Sequence, residues 1–227
     1  MKILTFIPAR GGSKGIKNKN MVNLDKKPLI FYTIDIAKKI KQNTFPFIST
    51  DSKKIIKYCK KFNLEHRYLR PKSLSKDNSN LFPAIMHGVF WLQKKYKKNF
   101  DAVLLLQPTT PIRNLKELKS AVNLFKRKNL QSLISVTYMR EHPYDCVKFS
   151  KKKWSYLIKN PKKNNLRQSY EKRFYFIDGS FYLAKMSFLR KNKSFRNKKY
   201  TKFFLQKREW PIDIDTSEDL LVAKSFI

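Results

Sequence analysis

Two clusters of residues near opposite ends of this chain have the chemistry to grip phosphate. Near the start, Arg10 is followed by Gly11, Gly12, Ser13, Lys14 and Gly15, so this loop holds three of the chain's 5 glycines. Glycine lets backbone N–H groups come close to a ligand, and Arg10, Ser13 and Lys14 add cationic and hydroxyl donors, a combination suited to a polyphosphate. The spacing matches neither the Walker pattern nor GxGxxG, which excludes the P-loop NTPase and dinucleotide-binding scaffolds. Near the end, Asp213, Asp215, Glu218 and Asp219 place four of the 16 acidic residues within seven positions. If Ile212 to Asp215 is extended, Asp213 and Asp215 share one face while Ile212 and Ile214 point into the core. Carboxylates so spaced suit a hard divalent cation that also takes phosphate oxygens. Thr216 to Asp219 reads as well as a helix cap, with acids favouring the helix dipole.

A third segment carries polar groups at the end of a very apolar run: Leu104, Leu105, Leu106, then Gln107-Pro-Thr-Thr-Pro-Ile-Arg113. A buried strand ending this way presents Gln107 at the carboxyl edge of a sheet, where open α/β sheets bind ligands. Arg113 is open to two readings, a ligand contact or a residue that ties loops together at a helix start. Ser49-Thr50-Asp51-Ser52 reads chiefly as a turn and cap. His142 reads as structural rather than as a general base, and His66 and His87 as bystanders.

These residues need a scaffold, and strand-like runs alternate with helical patterns through the first half, as in an α/β fold with a mostly parallel sheet. Ile3–Ile7, Phe45–Ser49, Leu64–Leu69, Ala102–Leu106 and Leu133–Val136 read as strands. Helices are expected after Pro28, after Asp51-Ser52, over Asn80–Tyr96 and after Asn114. From Met139 to Tyr175 the chain turns polar, lysine-rich and irregular, apart from a hairpin of Cys146–Phe149 with Trp154–Ile158. So long an irregular stretch inside a compact domain is functional or an interaction arm. Ser180–Leu183 and Lys202–Leu205 resume the sheet, and Ser217–Phe226 closes as a helix.

At 227 residues the chain reads as one domain, and 41% hydrophobic and 14% aromatic content argues for a folded globule. Cys59 and Cys146 fit no metal spacing and read as reduced structural thiols. No signal peptide or membrane span is expected, which points to a cytoplasmic protein with no membrane insertion. The balance of 51 Lys plus Arg against 16 Asp plus Glu, formally +35, permits nonspecific binding to nucleic acid at low salt. The lysines are scattered and accompany no nucleic-acid motif, so solvated surface charge is expected rather than a specific nucleic-acid partner.

The run Pro8-Ala-Arg-Gly-Gly-Ser-Lys-Gly-Ile-Lys-Asn-Lys-Asn20 resembles the signature of the N-acylneuraminate cytidylyltransferases, which activate sialic acid and related nonulosonic acids. Relatives acting on Kdo carry a distinguishable loop after the arginine. Gln107 to Arg113 resembles the family's Leu-Gln-Pro-Thr-Ser-Pro-Leu-Arg run, and Asp213-Ile-Asp215-Thr its metal-binding element. Leu69-Arg70-Pro71 resembles the loop that reads cytosine and ribose, although residues 72 to 81 depart from the pattern. Leu166-Arg167-Gln168 and Tyr175 through Asp178-Gly179 to Tyr182 resemble the family's Arg-Gln run and its Asn/Asp-Gly strand.

The resemblance implies a three-layer α/β/α nucleotide-diphospho-sugar transferase-like (Rossmann-like) fold with a mixed, mostly parallel sheet. It implies one domain over residues 1–227, with a dimerisation arm inserted at 140–178. The implied reaction is CTP plus a nine-carbon acidic sugar giving the CMP-sugar and pyrophosphate. Arg10, Gly11, Gly12, Ser13, Lys14, Asn20, Arg70, Ser79 and Asn80 are then nucleotide-binding; Gln107, Arg167, Tyr175 and Asp178 are sugar-binding. Asp213 and Asp215 hold Mg²⁺, for which Mn²⁺ substitutes, and Arg10, Lys14 and both aspartates are catalytic. Arg167 reaches across a homodimer to the partner's sugar. The alternatives are a nucleotidyltransferase for another acidic sugar such as Kdo, one using GTP, a module that kept the fold but lost turnover, and a basic nucleic-acid-binding protein.

Overall fold

A computed structural model describes residues 1–13, 15–41, 44–65, 67–76, 80–151, 153–159, 174–207 and 212–227. The first strand, β1 (Ile3–Pro8), is apolar apart from Thr5, whose hydroxyl donates to Thr44 Oγ1 (2.7 Å), because both of its faces are covered. Ile3 and Ile7 join one core, Leu4 and Phe6 the other. A two-residue hairpin, β2 (Asn23–Leu24) with β3 (Lys27–Pro28), leads into helix α1 (Leu29–Lys39). Strand β4 (Phe45–Ser49) and helix α2 (Lys53–Lys60) follow, with the Ser52 hydroxyl capping α2 at Ile55 N. Asn80 caps α3 (Leu81–Tyr96), and β5 (Ala102–Leu105) then crosses the core. The Asn114 side chain accepts from Lys116 N and Glu117 N to start α4 (Leu115–Arg127), ahead of β6 (Ser132–Tyr138).

The irregular stretch contains the expected hairpin, β7 (Val147–Ser150) with β8 (Lys153–Tyr156). Next come β9 (Tyr175–Lys185), α5 (Met186–Asn192), β10 (Thr201–Leu205) and α6 (Ser217–Lys224). The central sheet runs β10-β6-β9-β5-β1-β4. Every neighbouring pair is parallel except those of β9, which runs antiparallel to both β5 and β6. Helices α1, α2 and α4 cover one face through Ile30, Ile34, Ile55, Cys59, Leu118 and Val122. Helices α3 and α5 cover the other through Ile85, Val89, Leu92, Phe188 and Leu189. The expected three-layer α/β/α mixed sheet is therefore present. Burial pushes the Cys59 thiol up to about 12, so it stays protonated in the core.

The structure corrects the sequence reading in three places. No described residue of 64–69 is in a strand. Tyr68 turns onto α3, its ring 5.0 Å from Phe47 and 5.3 Å from Trp91, and just beyond the stretch Arg70 N donates to Thr50 O (2.8 Å). Helix α5 was not anticipated, because Met186–Asn192 is short and ends in a basic run. Tyr175 to Asp178, expected within the inserted arm, are the first residues of β9, and Tyr175, Phe176 and Ile177 pair with Tyr138, Thr137 and Val136 of β6.

Candidate active site

At the carboxyl ends of β1 and β5 lies an open cavity of about 620 Å³, at the edge where α/β sheets bind ligands. The loop after β1 lines it with Arg10, Ser13, Gly15, Lys19 and Asn20. The loop before α3 lines it with Arg70, Ser75, Lys76 and Asn80. Gln107, Pro108 and Thr109 line it after β5, and Asp215 comes from the segment before α6.

The glycine loop is held from below. Gly11 N donates to Asp51 Oδ1 (2.8 Å), and Ala9 N to Ser49 O (2.9 Å). The Asn20 side-chain amide donates to Arg10 O (2.9 Å), closing the loop on itself. Asn18, at φ 55°, turns the chain into a short 3-10 turn over Lys19–Met21. A β-carbon on Gly15 would lie 2.6 Å from Asp215 O, so only glycine allows the loop to pass this close to the acidic segment.

The acidic segment follows the alternation anticipated from sequence: Ile214 is fully buried, Ile212 packs beside it, and Asp213 and Asp215 face outward. The helix-cap reading of its end holds. Thr216 and Asp219 form a capping box on α6, and Asp219 Oδ2 also accepts from Asp215 N (3.0 Å). The helix start therefore fixes where Asp215 sits. Lys19 is buried, and its Nζ donates to Asp215 Oδ1 (2.7 Å) and to Ile214 O (2.8 Å). Although Asp213 is exposed as a residue, the protein around its carboxyl displaces water and raises it above the usual range; Thr109 opposes this, and neighbouring Asp215 adds to it. Among the described residues no group of three or more His, Cys, Asp and Glu forms a metal cage. Asp215 lines the cavity, whereas Asp213, expected beside it as a metal ligand, does not. One carboxylate on the cavity with a second close by still fits Mg²⁺, which takes one or two protein carboxylates and completes its shell with phosphate and water.

Gln107 lines the cavity with its backbone fixed from behind. Arg113 Nη2 donates to Gln107 O (2.5 Å) and Thr110 Oγ1 (2.9 Å), Nη1 to Thr33 Oγ1 (3.0 Å), and Nε to Ser180 O (2.6 Å). Arg113 is thus the residue that ties loops together, which settles its two readings. Arg70, only 4% exposed, lends its guanidinium to the cavity while Nε donates to Ser75 Oγ (3.0 Å) and Nη2 lies 4.0 Å from Asp51 Oδ1. Burial lowers its pKa and Asp51 opposes that.

Other expected site residues are placed differently. Gly11 and Gly12 belong to the loop but do not line the cavity. Asp178 is 2% exposed, and its Oδ1 accepts from Ser135 Oγ (2.5 Å) and Ser180 N (2.9 Å). Gln206 Nε2 donates to Oδ2. Its carboxylate holds β6, β9 and the residue after β10 together rather than facing the cavity. Tyr175 stacks on Tyr138 at 5.2 Å and is half exposed, away from the cavity lining. His142 caps the turn Pro143–Asp145 through Nδ1, in keeping with a structural role. Lys14, Ser79 and Arg167 lie outside the described residues, as does His66. Sequence reasoning missed Lys19 and Thr109; Lys19 sits inside the glycine-loop motif itself, which was the available signal.

Comparison with known proteins agrees with this geometry. The profile of a family described as Cytidylyltransferase matches residues 4–173. The chain is 33% identical to the CMP-N,N'-diacetyllegionaminic acid synthase of Legionella pneumophila, over 100% of this chain and 97% of that protein. It is 30% identical to the pseudaminic acid cytidylyltransferase of Campylobacter jejuni, over 99% of this chain and 95% of that protein. Among solved structures, CMP:2-keto-3-deoxy-manno-octonic acid synthetase complexed with CTP superposes with a TM-score of 0.71 at 14% identity, covering 100% of this chain and 98% of that one.

Proposed function

Because the chain belongs to the cytidylyltransferase family, we propose that it transfers CMP from CTP to a nonulosonic acid of the legionaminic, pseudaminic or sialic type, releasing pyrophosphate. The observation that carries this reading is the meeting of three distant segments, Arg10 to Lys19, Gln107 to Thr109 and Asp215, around one cavity. Both relatives are named for nonulosonic substrates.

The anomeric hydroxyl oxygen attacks the α-phosphorus in line and gives its proton to solvent; a new O–P bond forms, and the bond from the α-phosphorus to the bridging β-phosphate oxygen breaks, releasing pyrophosphate. Arg10, Ser13 and Lys14 meet the β- and γ-phosphates and stabilise the charge that leaves as pyrophosphate. Asn20 keeps the loop closed through Arg10 O. Arg70, with Asn80 and Ser79, takes the nucleoside end. Gln107 orients the acidic sugar. Asp213 and Asp215 would hold Mg²⁺ or Mn²⁺, which when bound neutralises phosphate charge and lowers the pKa of an attacking hydroxyl. Lys19 fixes the rotamer of Asp215 for that purpose.

We extend the reading to a homodimer through the arm. Cross-strand pairing puts Val147 beside Tyr156 and Phe149 beside Trp154, so these four share one face of the hairpin. Phe149 is 76% exposed and Trp154 58%. A two-stranded hairpin is marginal alone, and aromatic faces of this kind are covered by partners. A second copy covers it, and Arg167 then reaches the partner's sugar. No described helix is long and apolar enough to cross a membrane.

The test is pyrophosphate release screened over four nucleoside triphosphates and a panel of legionaminic, pseudaminic, N-acetylneuraminic and Kdo acids. CTP with a nine-carbon acid should give the fastest rate. Release with no pair, or faster release with Kdo or GTP, overturns the assignment.

A further inference from the structure

The buried guanidinium of Arg113 makes more than a loop tie. It donates to four oxygens on three elements: Thr33 on α1, Ser180 on β9, and Gln107 and Thr110 within its own turn. Thr110 Oγ1 in turn donates to Gly179 O (3.0 Å), where the backbone is left-handed at φ 72°. The far side of the same turn is functional surface: Gln107, Pro108 and Thr109 line the cavity. Thr109 O accepts from Ile214 N (2.8 Å), which pins the residue next to Asp213. One planar cation therefore stands behind both Gln107 and Asp213.

We infer that Arg113 is a positioning residue for CMP transfer, fixing the Gln107–Thr110 turn and, through Thr109, the aim of Asp213. The inference rests on the reading of this cavity as the transfer site. A fork with several fixed N–H directions can satisfy four acceptors at once, whereas an ammonium cannot span them. Burial pushes the guanidinium down to about 9 while Asp178 and Asp213 oppose the shift, so it keeps its charge at neutral pH. The bonds of Arg113 run to Thr33, Gln107, Thr110 and Ser180, and the guanidinium of Arg70 at the other end of the cavity is held by Ser75 and Asp51, so nucleotide binding and transfer should separate.

The test compares Arg113→Lys, Thr110→Val and Thr33→Val with wild type. Each is assayed for CTP affinity by calorimetry, thermal midpoint, and steady-state kinetics with the best sugar acid from the panel above. Thr110→Val keeps the buried charge and removes only the hydroxyl between Arg113 and Gly179, so it remains informative if Arg113→Lys does not fold. The expected result is a kcat lower by about 100-fold for Arg113→Lys, and lower in the same sense for Thr110→Val, as misplaced catalytic groups cost. Their CTP affinity should stay within about threefold of wild type, and Thr33→Val, which frees only the α1 contact, should keep its kcat. Near-wild-type kcat in Arg113→Lys and Thr110→Val, with only the thermal midpoint lowered, overturns the inference, as does a matched loss of CTP affinity and kcat. A wild-type enzyme that releases no pyrophosphate fails the functional reading instead.

Discussion

Lys19 and Asp215 are 196 positions apart, yet Lys19 Nζ lies 2.7 Å from Asp215 Oδ1 while also donating to Ile214 O. The lysine side chain is 11% exposed and the aspartate 74%. A nearly buried ammonium therefore restrains the carboxylate of a residue that lines the cavity. The pair joins the glycine loop to the acidic segment, the two features furthest apart in sequence.

If Lys19 acts by holding Asp215, the two residues form one functional unit. Lys19→Met and Asp215→Asn should each lower kcat by about 10²-fold or more, and the double variant should lose little beyond the worse single one. Removing divalent metal with EDTA should abolish turnover in wild type, and excess Mg²⁺ should restore wild type but not Asp215→Asn. Pyrophosphate-coupled kinetics measure all of this. Strictly additive losses would falsify the coupling.

The close pass of Gly15 over Asp215 O gives a sharper test of loop geometry. A methyl there meets a backbone oxygen at 2.6 Å, whereas at Gly12 nothing lies within 4 Å of the β-carbon position. Gly15→Ala should therefore weaken CTP binding and lower kcat/KM by about 10²-fold with the sheet intact, since a displacement of about 1 Å has that cost. Gly12→Ala should bind CTP within a few-fold of wild type. Calorimetry on the two variants checks this, and equal behaviour would show that the loop adapts freely.

Away from the site, Glu65 supplies a pH-dependent contribution to stability. Its own burial would raise the carboxyl, but hydrogen bonds from Arg67 and Tyr96 outweigh that and hold it at about 2. A depressed folded pKa stabilises above the unfolded value of about 4.3, and the benefit fades as pH falls from there toward about 2. In urea unfolding, Glu65→Gln should be less stable than wild type by about 1–2 kcal/mol, a gap constant from pH 8 to 5 and shrinking below about pH 4. A gap that narrows already between pH 7 and 5 contradicts the assignment.

What could be read in sequence was what local pattern encodes. The glycine loop, Gln107 and Asp215 stand in contiguous runs, and all three reach the cavity. Ile214 alternating with Asp213 and Asp215 gave the facing of that segment before any coordinates. Lys19 stands inside the glycine-loop motif, but among 51 basic residues nothing in the sequence points from it to its distant partner Asp215. Asp178 matched a motif position, but only three-dimensional packing reveals that Ser135, Ser180 and Gln206 occupy its oxygens. The Leu64–Leu69 run had strand-like composition; tertiary packing of Tyr68 onto Phe47 and Trp91 overrode it.

The hairpin face leads to the last prediction. Val147, Phe149, Trp154 and Tyr156 lie together on one side, with Lys148, Ser150, Lys153 and Ser155 on the other. Water on one side and a second copy on the other is the arrangement this pattern suits. In light scattering the wild-type chain should behave as a dimer, and Phe149→Ser combined with Trp154→Ser should shift it toward monomer while leaving the central sheet folded. Sharing of sites can be tested by mixing an Arg167→Ala subunit with an Asp215→Asn subunit. If Arg167 serves the partner's pocket, one pocket of the mixed dimer carries both defects and the other none, so activity partly returns. If each pocket uses only its own chain, both stay singly broken and mixing restores nothing. A fully active monomer removes the arm from the mechanism altogether, because no second chain is then present to supply the arginine.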